Sequence, residues 1–211
     1  CSDSANSDLR YAVKRPKAGG IHWYFNPSTT PDELSRKGAA RAIRKGTANI
    51  MNAKNNCHLG KVIPREVIFA YDGSTRDRAQ VGPRGGCTGN DRKTVVSFGR
   101  LPESALAVTC TAWSVEPGYD RVHWSDIMLN KTNFNWTIRP EARSCKGKYD
   151  LASTVTHERG HTFGLGHVSE SQHRNLTMSD RSNGPCQRSE QSLGRGDWRG
   201  LVCKYRHKRY C

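Results

Sequence analysis

The chain has 211 residues, 35% of them hydrophobic, and a mean hydropathy of −0.78. That length supports one sizeable core without a metal or partner to complete it, and that polarity argues against a membrane span. Lys and Arg outnumber Asp and Glu 34 to 19, a formal charge of +15, which suits anionic surroundings such as a cell-surface polymer. The basic residues are scattered, with one dense cluster at Lys204, Arg206, Lys208 and Arg209. No stacked aromatic platform accompanies them, so nucleic-acid binding is not expected.

Cysteines stand at 1, 57, 87, 110, 145, 186, 203 and 211. An even set without a CxxC pair argues for disulfides formed in an oxidising, extracellular setting rather than for zinc ribbons or redox motifs. The pairing stays open; Cys203 and Cys211 are expected to tie down the C-terminal tail. The start has no charged and apolar leader, so the chain reads as a mature secreted form, with Cys1 in a disulfide rather than lipidated. Asn130-Lys-Thr, Asn135-Trp-Thr and Asn175-Leu-Thr match glycosylation sequons.

In chain order, residues 21–26 form a β-prone run closed by Asn26-Pro27. Thr30-Pro31-Asp32-Glu33 then has the form of a capping box with proline at the first helical position. Ala39, Ala42, Ile43 and Ile50 recur at helical spacing, predicting a helix of about 20 to 25 residues that ends at Asn55-Asn56. Four β-prone runs follow, at 66–71, 94–98, 105–113 and 121–129. In the third, Leu106, Val108, Cys110 and Ala112 alternate with Ala107, Thr109 and Thr111, the period of a strand with one packed face. Gly82-Pro83-Arg84-Gly85-Gly86 is a loop and not a phosphate cradle, since the GxxxxGK[ST] pattern is missing. A second helix is expected from the N-cap Asp150 to Gly164, then an irregular stretch over 168–196. A last helix starts at Asp197, where Trp198, Leu201, Val202 and Tyr205 make one apolar face.

Residues 157–167 read His-Glu-Arg-Gly-His-Thr-Phe-Gly-Leu-Gly-His. His157 and His161 lie one helical turn apart, so their imidazoles leave the same face and can take two corners of a metal tetrahedron. Glu158 points about 100° away, near enough to hold a water without binding the ion. Gly164 supplies the conformation that ends the helix, and His167 returns as third ligand, leaving a fourth position open as a catalytic zinc requires. In chains of this composition HExxHxxGxxH arises by chance in roughly 4 of 100,000, so surface histidines at coincidental spacing are a poor account.

On these residues the chain resembles the metzincin zinc endopeptidases, with its nearest likeness to matrixin-like secreted proteases of bacteria. The resemblance maps onto His157, Glu158, His161, Gly164 and His167, and onto Met178 in Asn175-Leu-Thr-Met-Ser as the Met-turn. Asp180 stands where related families carry a zinc-binding tyrosine, so no tyrosine ligand is expected. The resemblance implies an α+β zincin fold with a twisted mixed sheet of about five strands, two long helices and a zinc cleft. It implies a single catalytic domain over 1–211, divided into an N-terminal lobe 1–167 and a smaller C-terminal lobe 168–211 with a terminal helix. It further implies one catalytic zinc, structural calcium (although Asp72, Asp77, Asp91, Asp120 and Asp126 form no EF-hand loop), a peptide substrate paired along the strand at 105–113, and a selectivity pocket walled by the zinc helix and the loop 178–194. A monomer is expected, and His22, His58, His123, His173 and His207 are expected to lie outside the ligand set. The expected activity is hydrolysis of peptide bonds by activated water, with Glu158 as general base. The alternatives are a zinc-containing wall- or polymer-binding protein and a wall-peptide amidase, either exploiting the +15 charge.

Overall fold

The computed structural model describes residues 1–7, 11–12, 20–116 and 119–206. Tyr11–Ala12 form a two-residue strand, β1, and the aromatic run Ile21–Phe25 forms β2, which buries Ile21, Trp23 and Phe25. Ser35 caps helix α1 (Arg36–Met51) by accepting the Gly38 N–H at 3.1 Å. The helix thus starts later than the Thr30 capping box predicts, and has 16 residues rather than about 20 to 25. The physical reason is tertiary: Glu33 accepts the Trp136 N–H at 3.0 Å instead of reaching back to close its own turn. Ala39, Ala42, Ile43 and Ile50 form the buried face as expected.

Strands β3 (Phe69–Ser74), β4 (Thr94–Gly99), β5 (Ala107–Glu116) and β6 (Tyr119–Asn130) follow. Two begin later than their β-prone runs, because the Val67 N–H turns back to Pro64 and the Ala105 N–H to Pro102. The main strands lie in the order β3-β2-β4-β6-β5, with β1 beside the far end of β6. All pairs are parallel except β5 with β6, so the fold is α+β with a mixed sheet of five main strands and the short β1. As an antiparallel edge, β5 pairs with β6 alone among the described residues. Its apolar side, with Val108, Cys110 and Ala112, packs on a small second core around Trp124 and Met128.

The other side of β5 faces helix α2. A small parallel pair, β7 (Asn135–Thr137) and β8 (Lys148–Asp150), leads into α2 (Leu151–Thr162), capped by Asp150 as the sequence suggests. Thr111 hydrogen-bonds Ser125, which in turn bonds Thr162 of α2. Arg159, fully buried, lies with its guanidinium 4.9 Å from the Trp23 ring centre and 4.8 Å from that of Phe69. Burial pushes it down to about 9; its Nε donates to Thr47 of α1 at 3.3 Å, so one residue ties α2 to α1 and to the sheet.

The stretch after α2 is less irregular than its composition suggests. It contains the four-residue helix α3 (Glu170–His173), a single 3-10 turn at Ser189–Gln191 and helix α4 (Arg195–Tyr205). Leu201 and Val202 are buried, with Trp198 and Tyr205 packed beside them, and α4 starts two residues before Asp197. Disulfides join Cys1 to Cys57, Cys87 to Cys110 and Cys145 to Cys186. Cys203 is also disulfide-bonded; Cys211, like His207, lies outside the described residues. No described helix is long and apolar enough to cross a membrane.

Candidate metal centre and active site

Helix α2 ends by a mechanism that positions the third histidine. Gly164 adopts φ +91°; its N–H bonds the His161 carbonyl at 3.0 Å, and the Leu165 N–H reaches the Gly160 carbonyl at 2.9 Å. These are the two bonds of a Schellman cap, which a left-handed glycine closes at least strain. The chain then turns back, and Val168, next after His167, bonds Met178 and Asp180 through its N–H and carbonyl, both at 2.9 Å.

His167 Nε2 consequently lies 3.0 Å from Nε2 of both His157 and His161. Among the described residues this is the one group of three or more His, Cys, Asp or Glu side chains with converging ligand atoms, all within 4.8 Å of one another. The ring Nδ1 of His157 bonds the Thr177 carbonyl at 2.7 Å, and that of His161 the Leu165 carbonyl at 2.9 Å. A carbonyl accepts only from N–H, so the proton sits on Nδ1 and the Nε2 lone pairs face each other. Burial first, and a neighbouring histidine second, push His157 and His161 down to about 4, so neither ring carries a charge at neutral pH. Neutral lone pairs aimed at one point fit a divalent cation: tetrahedral zinc with bonds of about 2.0–2.1 Å would set nitrogens about 3.4 Å apart.

Glu158 lies beside this centre, buried at 6% exposure. The Thr109 hydroxyl of β5 meets its Oε2 at 2.5 Å, a contact the sequence reading did not foresee although Thr109 sits on its predicted strand. A cavity of about 670 Å³ opens alongside, lined by residues 104–106 and by the first three residues of β5, 107–109. His157, Glu158 and Thr154 of α2 form its floor, and Ser179–Ser182 and Glu190 close the far side. Helix α2 and, from the loop 178–194, residues 179–182 and 190 thus line it.

Met178 is buried and packs against Gly160, where a Cβ would collide with its sulfur. The sequence reading singled out Met178 and missed both Gly160 and Asp197. The Asp197 carboxylate accepts the N–H groups of Thr177 (2.8 Å), Met178 (3.1 Å) and Gly194 (2.8 Å). Burial, opposed by these three bonds, pushes it up to about 6. The segment beneath His157 is therefore pinned by a carboxylate that sequence spacing assigns merely to a helix start. The chain's first residues add a strap, Ser7 accepting the Gly166 N–H at 2.7 Å and Asp3 meeting His173 at 3.0 Å.

Among the described residues the other histidines and acids stay outside the cluster. His22 pairs with Asp72 and His123 with Ser114; Asp77 pairs with Lys93, and Asp126 caps Gln80 and Val95. Asn130, buried and bonded to three carbonyls, is inaccessible as a sequon, whereas Asn135 and Asn175 are exposed. No protein-family model and no curated protein matches the chain.

Proposed function

We propose that this protein is a secreted, zinc-dependent endopeptidase of metzincin type, in which His157, His161 and His167 hold one zinc and Glu158 is the general base. The observation that carries the reading is the convergence of three imidazoles beside a buried carboxylate, in a cavity bordered by an open strand edge. Bound zinc supplies Lewis acidity, polarising a carbonyl oxygen and bringing the pKa of water towards neutrality. Glu158 takes a proton from the attacking water and returns it to the leaving nitrogen, so the amide departs as an amine. Thr109 holds Glu158 through its hydroxyl and fixes the direction of that transfer.

The free edge of β5 pairs with an extended peptide through main-chain N–H and C=O groups, giving affinity with little demand on sequence. Thr177 and Leu165 keep the two helix histidines in the tautomer that presents Nε2. Met178 and Asp197 keep Thr177 in place. Three disulfides and the absence of a membrane-crossing helix among the described residues support an extracellular setting.

The test is Glu158→Ala, assayed beside the wild type for zinc content and casein hydrolysis, with and without a chelator. One zinc in both chains, with hydrolysis at least about a hundredfold lower in the variant, is expected from loss of a general base. Undiminished hydrolysis would remove Glu158 from the mechanism, and a wild type that binds zinc without cleaving would remove the endopeptidase.

A further inference from the structure

The cavity beside the histidines contains a carboxylate that the hydrolytic machinery does not use. Glu190 lines the same cavity as His157 and Glu158 yet is only 6% exposed. It comes from the 3-10 turn Ser189–Gln191, held against the start of α2 where Gln191 bonds the cap residue Asp150 at 2.5 Å. Its Oε1 accepts the Asn183 N–H at 2.8 Å; among the described residues its side chain makes no other hydrogen bond and no ion pair. In a chain of net charge +15, a buried carboxylate without a cation is an expensive arrangement.

Its surroundings make the imbalance larger. Glu170 and Asp150 both raise the field it experiences, and the cation paired with Glu170, Arg174, is exposed. Arg181 also lines the cavity, but from an exposed position. The cavity is also lined by Phe134 and Tyr149, packed edge to face at 5.2 Å, and by Thr154. Two aromatic rings and a buried carboxylate without a cation in one cavity match a long aliphatic side chain with a positive tip.

We infer that this cavity receives a lysine or arginine side chain adjoining the scissile bond, with the buried Glu190 as its counter-charge. The guest's identity as a peptide residue rests on the endopeptidase reading; the cation selectivity of the cavity does not. The cationic tip replaces the partner that the fold withholds from Glu190, and its methylene stem lies along Phe134 and Tyr149. Norleucine, the four-carbon stem without the ammonium, leaves the carboxylate buried and unpaired, and an acidic side chain is repelled.

Two measurements on the zinc-supplemented full chain test this. The first compares kcat/KM for peptides carrying Lys, Arg, norleucine or Glu on either side of the cleaved bond. At one flank Lys or Arg should exceed norleucine at least tenfold, and Glu190→Gln, which keeps an acceptor for Asn183, should reduce that ratio at least tenfold. The second titrates n-butylammonium against 1-butanol by NMR, following the cavity's Phe134 and Tyr149 signals. The cation should bind more tightly to the wild type, and that preference should vanish in Glu190→Gln. Cation-selective binding without cleavage of any peptide upholds the cavity assignment and overturns the endopeptidase. Norleucine equal to or better than lysine, or no preference for the ammonium probe, overturns the inference on the wild type alone, whether or not the variant folds.

Discussion

Residues 150–167 and 168–206 both border the same cavity, but they are held by different physics. The first is assembled from neighbours in sequence: Asp150 caps Ser153, His157 and His161 share a helical face, and Gly164 closes the end within five residues. The second is held by bonds across long loops, with Asp197 reaching back 19 and 20 residues to Met178 and Thr177, and Asn183 fastened to Glu190. The spacing of His157 and His161 is thus a helical property, whereas the support beneath His157 is the buried Asp197 carboxylate accepting backbone N–H groups. Cys145–Cys186 ties the second region to the chain just before the first.

Asp197→Ala gives the sharpest contrast. It orphans three donors, those of Thr177 and Met178 buried and that of Gly194 partly so, and at about 1–3 kcal/mol per unsatisfied group, with partial rehydration, roughly 3–5 kcal/mol of stability should go. Asp150→Ala removes a helix cap and should cost about 1–2 kcal/mol. Urea unfolding of both variants checks the order, and zinc retention should weaken more in Asp197→Ala because Thr177 orients His157. Equal losses would erase the distinction between the regions.

The second comparison uses pH. Burial, with Glu170 and Asp150 adding to it, raises Glu190 from 4.5 to about 7. Between those values the folded chain holds the proton more tightly than the unfolded one. The stabilisation is therefore complete below pH 4.5 and lost as pH rises through 7, by about 3 kcal/mol. Asp126, Asp197, His157 and His161 titrate in both chains, so the wild type minus Glu190→Gln difference isolates this group. Unfolding free energies at pH 4.5, 6 and 7.5 should show that difference falling; a flat difference would place Glu190 outside the low-dielectric interior.

The smallest effect is expected at Thr109. Thr109→Val keeps a β-branched side chain on β5 and removes one bond to the Glu158 carboxylate, worth about 1.5 kcal/mol, so kcat should fall roughly tenfold. Thr109→Ser should restore most of it, with zinc content and thermal midpoint unchanged throughout. A drop in zinc content instead would make Thr109 part of the packing around the ligands.

The converging histidines, the neighbouring Glu158 and the glycine cap were legible because each depends on a short spacing or a single backbone conformation. The face of α1 was legible from its period, but its start was not, since Glu33 is taken by Trp136 across the molecule. Met178 was legible by resemblance; Gly160 was not, because its missing Cβ matters only once Met178 is folded against it. Glu190 and Asp197 read as ordinary surface acids in loop and helix-start positions, and no local period marks a carboxylate for burial.

What the sequence by itself determined is the set of groups that can converge on a metal and the disulfide-forming chemistry, which follow from short-range pattern and composition, together with the α+β class that its resemblance implied. The tertiary structure alone decided the pairing of the cysteines, the open edge of β5 beside Glu158, the Asp197 pin and the charge in the cavity. Those depend on long-range packing and desolvation, which bring residues together regardless of their separation along the chain.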